Sequence, residues 1–206
     1  MDAALLRHAR DAIGFMPEGE GLALHAAALD AAAVGPLLEV GTYCGKSAVY
    51  LGAAAREQGT VLFTVDHHRG SEENQSGWEW HDETLVDPRT GRMDTLPCFR
   101  RTIEAAGLED VVIAIVGDST TVARHLATPL GLVFIDGGHA LDVALADYEA
   151  WNPLLAPGGR LVFHDVFENP DEGGQAPYEV WKCAVRDGFE PVSTTGSLRV
   201  LRVVGS

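Results

Sequence analysis

The feature that most constrains this chain is a repeated alternation of short apolar runs with longer helical stretches. The runs fall at 36–41, 61–65, 111–116, 132–135 and 160–163, and helical periodicity follows at 46–56, 97–107, 119–127, 140–152 and 177–187. Runs of this length rich in Val, Leu, Ile and Phe read as strands, and helices between them require a parallel sheet whose right-handed crossovers cover both faces. Two last β-rich runs, 189–194 and 197–204, are separated only by Thr195-Gly196. That is too tight for a crossover, so they pair as an antiparallel hairpin. The expected fold is α/β, a doubly wound and mainly parallel seven-stranded sheet with a C-terminal hairpin and helices on both faces. Two Ala/Leu-rich helices at 2–13 and 20–33, broken at Met16-Pro17-Glu18-Gly19, precede it.

The chain has 206 residues, which suits one domain with about 70% of its unfolded surface buried. With 15 basic against 30 acidic residues the net charge is -15. Such a surface repels phosphate backbones and anionic headgroups, so nucleic acid and membrane surfaces are excluded as partners and small molecules are favoured. No stretch supplies the ~20 apolar residues of a membrane span, and the N-terminus lacks the basic start of a signal peptide. Cys44, Cys98 and Cys183 show no CxxC spacing, so the chain reads as cytoplasmic and reduced. The first 33 residues can pack on the core or on a second copy, which would make a homodimer. Periodicity vanishes between 67 and 97, a segment with seven carboxylates, three arginines and Trp78 and Trp80. Structureless connections beyond ~15 residues are usually lids or binding loops, and the tryptophans favour a lid over a substrate.

In an open parallel sheet, ligands bind beyond the carboxyl ends of the strands, where strand order reverses. The residues at each strand end here are acidic or glycine-rich: Glu39-Val-Gly41-Thr42-Tyr43-Cys-Gly45, Asp66-His67-His68, Gly117-Asp118-Ser119, Asp136-Gly137-Gly138-His139, and His164-Asp165. Gly41 and Gly45 allow close backbone approach, and the helix start after them offers free N–H groups. Tyr43 breaks the dinucleotide pattern G-x-G-x-x-G. Asp66, closing the second strand, suits ribose hydroxyls, so the rim is expected to hold a nucleoside without gripping a pyrophosphate.

Together with Pro157-Gly158-Gly159 and the terminal hairpin, these motifs resemble the class I S-adenosylmethionine-dependent methyltransferases, with their Rossmann-like sheet, from residue 36 onward. The resemblance implies that Gly41 to Ser47, including Thr42, Tyr43 and Gly45, line the methionine and ribose, with Glu39 supporting that turn. It implies ribose contacts from Asp66 with His67 beside it, adenine contacts from Gly117, Asp118 and Ser119, and Asp136 near the sulfonium. Ile135-Asp136-Gly137-Gly138-His139 and Phe163-His164-Asp165-Val166 further resemble the divalent-metal-dependent O-methyltransferases of sugars, macrolides and catechols. That narrower likeness puts Mg²⁺ or Mn²⁺ on Asp136, His164 and Asp165, with Glu168 an alternative to His164, and makes His139 the general base. A histidine among the ligands departs from the all-oxygen set that Mg²⁺ prefers. His67 and His68 read as substrate or lid contacts, while Trp151 and Trp181 fall at helical spacing and read as core.

The expected reaction is methyl transfer to a hydroxyl of a small acceptor, a sugar or glycoside. The cation would stabilise the developing alkoxide and His139, neutral often enough at pH 7, would take its proton. Two other readings stand beside it: a nicotinamide-dependent oxidoreductase on a similar sheet, and a non-catalytic cofactor-binding module.

Overall fold

The computed structural model describes residues 1–204 apart from Glu79 and His139. In chain order the strands are β1 (Leu37–Val40), β2 (Leu62–Asp66), the short pair β3 (Val86–Asp87) and β4 (Arg92–Met93), β5 (Val112–Val116), β6 (Leu130–Ile135), β7 (Leu155–Phe163), β8 (Glu190–Thr195) and β9 (Leu198–Arg202). The helices are α1 (Ala3–Asp11), α2 (Glu18–Ala32), α3 (Lys46–Gln58), α4 (Leu96–Ala105), α5 (Ser119–Ala123), α6 (Leu141–Trp151) and α7 (Ala176–Arg186). Seven strands form one sheet in the order β5-β2-β1-β6-β7-β9-β8, while β3 and β4 make a separate ribbon. Pairing is parallel from β5 through β7, and β9 runs antiparallel to both β7 and β8.

The central strands are buried on both faces, as a parallel sheet sheathed by helices requires. Alternate residues of β6 serve different cores. Leu132 and Phe134 pack with residues of α2, α3 and α4, whereas Val133 and Ile135 pack with those of α5, α6 and α7. Trp151 is fully buried in the second core, and its indole N–H donates to Ser119 Oγ at 2.7 Å. Trp181 packs against the same core at its edge.

The strand sequence runs β1, β2, β5 to one side and then returns to β6 on the other, so order reverses between β1 and β6. Val40 there lies opposite Ile135, which sets the residues after these two strands beside each other.

Three local features differ from the sequence pattern. Helix α5 stops at Ala123 rather than near 127, because the chain tightens into a turn in which His125 N–H donates to Val122 O at 2.9 Å. Strand β7 starts at Leu155, which pairs with Leu130 across a register shift. The aperiodic insertion is not structureless. It holds 3-10 turns at Glu72–Asn74 and Glu83–Leu85 as well as the β3–β4 ribbon. Among the described residues no helix is long and apolar enough to cross a membrane.

Gly131 in β6 shows how closely α2 approaches the sheet. A Cβ there would collide with the backbone carbonyls of Ala31 and Gly35, and backbone cannot swing aside as a side chain can. Gly131→Ala is expected to cost about 2 kcal/mol as an overpacking change, lowering the melting temperature by roughly 4–8 °C; an unchanged melting curve would contradict this packing.

Candidate active site

The loop after β1 is shaped by its glycines. Gly41 has φ +81°, and a Cβ on it would run into the Asp136 carbonyl, so the ends of β1 and β6 meet backbone to backbone. Gly45, at φ +89°, starts α3 and donates its N–H to Thr42 O at 2.8 Å. Asp66 fastens this turn: Oδ2 accepts from the amides of Thr42 and Tyr43, both at 2.9 Å, while Oδ1 accepts from His68 N–H at 2.7 Å. The carboxylate expected to face ribose thus also holds the loop on which a nucleoside would rest, with lone pairs to spare.

Glu39 lies directly behind the loop and is fully buried. Both of its carboxylate oxygens, and the neighbouring Thr42 hydroxyl, lack a hydrogen-bond partner among the described residues. Burial, reinforced by Asp136 and Asp66, pushes its pKa up to about 8, although Ser47 and Thr42 lie close enough to oppose part of the rise. Without a partner, a buried carboxyl is held in its neutral form by the cost of desolvating the charge.

Other expected cofactor residues take local partners. Asp118 caps α5, accepting from Thr121 N–H at 2.8 Å and from the Thr120 hydroxyl at 3.0 Å, and the Ser119 hydroxyl accepts from Trp151. Gly117 donates its N–H to Asp66 O at 3.1 Å, which ties the ends of β5 and β2. The exposed His67 ring lies 3.9 Å from Asp66 Oδ1. His68, by contrast, is buried, bonds Thr95 Oγ1 at 2.7 Å through Nδ1 and sets its ring at a tilt 5.5 Å from that of Phe99, so it anchors the insertion from within. Tyr43, His68 and Asp165 are the non-glycine residues with positive φ among those described, at +49°, +57° and +54°.

At the neighbouring strand ends, Asp136, His164 and Asp165 come together with ligand-capable atoms all within 4.8 Å of one another. His164 Nδ1 lies 3.1 Å from Asp136 Oδ1 and 3.4 Å from Asp165 Oδ2. Its other nitrogen, Nε2, is 2.6 Å from Glu20 Oε2, a buried residue of α2. Burial alone would discharge this imidazole, but Asp136, Asp165 and Glu20 outweigh it and push its pKa up to about 12. The expected base, His139, lies outside the described residues. Glu168 is largely exposed, 3.8 Å from Arg199, and so stands off the cluster.

A cavity of about 730 Å³ opens beside this cluster, lined among others by Phe15, Glu20, Asp165, Glu168 and Arg199. Phe15 also joins the rim to the insertion: its ring lies 5.5 Å from that of Tyr43 and meets Trp80 edge-on at 5.2 Å. Trp78 and Trp80 are both about half exposed.

Sequence reasoning missed Glu20, Phe15, Ser197 and Arg199. A signal for Glu20 existed. It falls on the same helical face as Leu24, Ala28 and Ala31, all buried, and a carboxylate on an apolar face needs a partner.

The Glu39 carboxyl gives a pH signature. A folded pKa near 8, above the usual 4.5, means that its contribution to stability is complete below pH 4.5 and is lost as pH rises toward 8. Glu39→Gln is expected to flatten the ligand-free stability profile between those limits by a few kcal/mol; denaturant titrations of both proteins at pH 5 and pH 8 would reveal an unchanged slope if Glu39 were not responsible.

Comparison with known proteins places the fold and the family. Among solved structures, cofactor-bound Rv0187 from MTB aligns with a TM-score of 0.65 at 20% identity, over 99% of this chain and 89% of that one. TomG from Streptomyces achromogenes, an O-methyltransferase involved in tomaymycin synthesis and solved with SAM, aligns at 0.64 and 20% identity, covering 100% and 91%. An O-methyltransferase from Bacillus cereus in complex with SAH aligns at 0.65 and 17% identity, covering 98% and 91%. The sheet and its terminal hairpin are thus those of the class I S-adenosylmethionine-dependent methyltransferase fold. A family model described as a methyltransferase domain matches residues 38–166, more than half of the chain and every strand end discussed above, and the protein belongs to that methyltransferase family.

Proposed function

We propose that this methyltransferase carries the methyl group of S-adenosylmethionine to a hydroxyl of a small acceptor, a sugar or glycoside, with help from a divalent cation at Asp136, His164 and Asp165. The observation that carries the reading is the meeting of the Gly41 turn with the Asp136 carbonyl, which sets the nucleoside loop and the carboxylate cluster on one rim. Binding of SAM by TomG and of SAH by the Bacillus cereus enzyme supports the donor. So does Glu39, whose unpartnered carboxyl suits the ammonium of a methionine moiety.

Bound S-adenosylmethionine would supply a sulfonium-activated methyl group. The turn from Gly41 to Ser47 would hold its amino-acid end and Asp66 its ribose. For the cation, the donor set fits: Nε2–H of His164 is given to Glu20, which turns Nδ1 toward the two aspartates, the manner in which metal-binding imidazoles are oriented. Nδ1 must release its proton to ligate. A mixed nitrogen and oxygen set favours Mn²⁺ over Mg²⁺. Such an ion would act as a Lewis acid toward the acceptor hydroxyl. His139, three residues beyond Asp136, is the proposed base by its place in the sequence. The residues at 67–97 would exclude water, and Phe15, which lines the 730 Å³ cavity, would frame the acceptor with Trp80 packed edge-on behind it. Holding acceptor and methyl donor in line would supply much of the remaining acceleration. The chain's net charge of -15 argues against a nucleic-acid acceptor.

Calorimetry should detect micromolar binding of S-adenosylhomocysteine and none of NAD; the reverse would overturn the donor assignment. Turnover of a sugar acceptor should vanish with EDTA and return with Mn²⁺ or Mg²⁺, and full activity in EDTA would remove the cation from the mechanism. Trp80→Ala is expected to raise the acceptor KM by about 3–10-fold, the worth of one aromatic contact, with S-adenosylhomocysteine affinity unchanged.

A further inference from the structure

We infer that Glu20 is a positioning residue of the cation site, holding the His164 ring with Nδ1 turned toward Asp136 and Asp165, and that Ser197 holds Glu20 in turn. The inference rests on the reading of residues 136, 164 and 165 as cation ligands. Both new residues lie outside the segment 38–166 matched by the family model.

Glu20 sits in the first turn of α2 with 7% of its surface exposed. Both of its oxygens accept hydrogen bonds. Oε1 accepts from Ser197 N–H at 2.7 Å, while Oε2 accepts from the Ser197 hydroxyl at 3.2 Å and from His164 Nε2–H at 2.6 Å. The hairpin turn is shaped to admit it, since a Cβ on Gly196 would strike the Glu20 carboxylate. A carboxylate fixed on three sides in this way cannot rotate, and neither can the imidazole it holds. If Nε2–H is committed to Glu20, Nδ1 is the only ring atom left for a cation, and it already faces both aspartates. Outer partners of this type typically govern 10–100-fold of metal affinity.

Glutamine at position 20 keeps the volume but cannot keep the bonds. Its amide offers one acceptor oxygen, so its NH₂ group must confront either His164 Nε2–H or Ser197 N–H. Ser197→Ala is milder, removing only the hydroxyl donor and leaving the backbone one.

The test is Mn²⁺ binding to the full chain, followed by electron paramagnetic resonance of the free ion, with S-adenosylhomocysteine affinity measured in parallel. Glu20→Gln is expected to weaken Mn²⁺ binding 10–100-fold and Ser197→Ala a few-fold, each with S-adenosylhomocysteine affinity unchanged. Wild-type Mn²⁺ affinity in a folded Glu20→Gln protein would overturn the inference while leaving the cation reading intact. Should that variant not fold, an unchanged affinity in Ser197→Ala would overturn it equally. If the wild-type protein itself binds no Mn²⁺, the cation reading fails and takes this inference with it, an outcome distinct from the other two.

Discussion

One imidazole surrounded by carboxylates binds together residues that lie far apart along the chain. His164 ends the fifth parallel strand, Asp136 ends the fourth, and Glu20 arrives from the helix that precedes the sheet. A buried ion pair is poor evidence of added stability, because desolvation consumes most of the attraction. Removing one partner is nevertheless severe, since the remaining charges are left unpaired in a dry place. Such a network is therefore better understood as fixing where groups stand than as holding the fold together. The holding is done by the two apolar cores on either face of the sheet.

The position of the network comes from strand register. Parallel pairing of β1 with β6 puts Val40 opposite Ile135, so the residues just beyond them must meet. Gly41 makes the meeting close, and Asp66 on the other flank of β1 fixes the turn through two amides, those of Thr42 and Tyr43. The glycine turn after β1 and the carboxylate cluster are consequently two sides of one backbone contact. A shift of either strand end would move both.

The architecture was readable because strands buried on both faces write themselves as unbroken apolar runs, and crossover handedness leaves few ways to connect them. The strand-end motifs pointed to Asp136, His164 and Asp165, and the fold brings these three within reach of one another. The features that escaped sequence reasoning depended on distance along the chain or on local competition. Glu20 meets His164 across 144 residues and Ser197 across 177, separations that no periodicity encodes. Asp118 and Ser119, expected at an adenine edge, also take local partners that the sequence did not announce, the one its own helix start and the other Trp151, as short polar side chains do. His68 likewise became an internal strut of the insertion through Thr95 and Phe99.

Tyr43, His68 and Asp165 share an unusual property, a left-handed backbone without being glycine. Each forgoes of order 1–2 kcal/mol that a residue lacking Cβ would not. All three stand at the sheet's rim, on the turn after β1, at the root of the insertion and in the carboxylate cluster. The molecule therefore retains side chains at the points where its backbone would be more comfortable without them. At His68 glycine would relieve the backbone only by emptying a buried site and freeing Thr95, so relief of strain and loss of packing cannot be separated there.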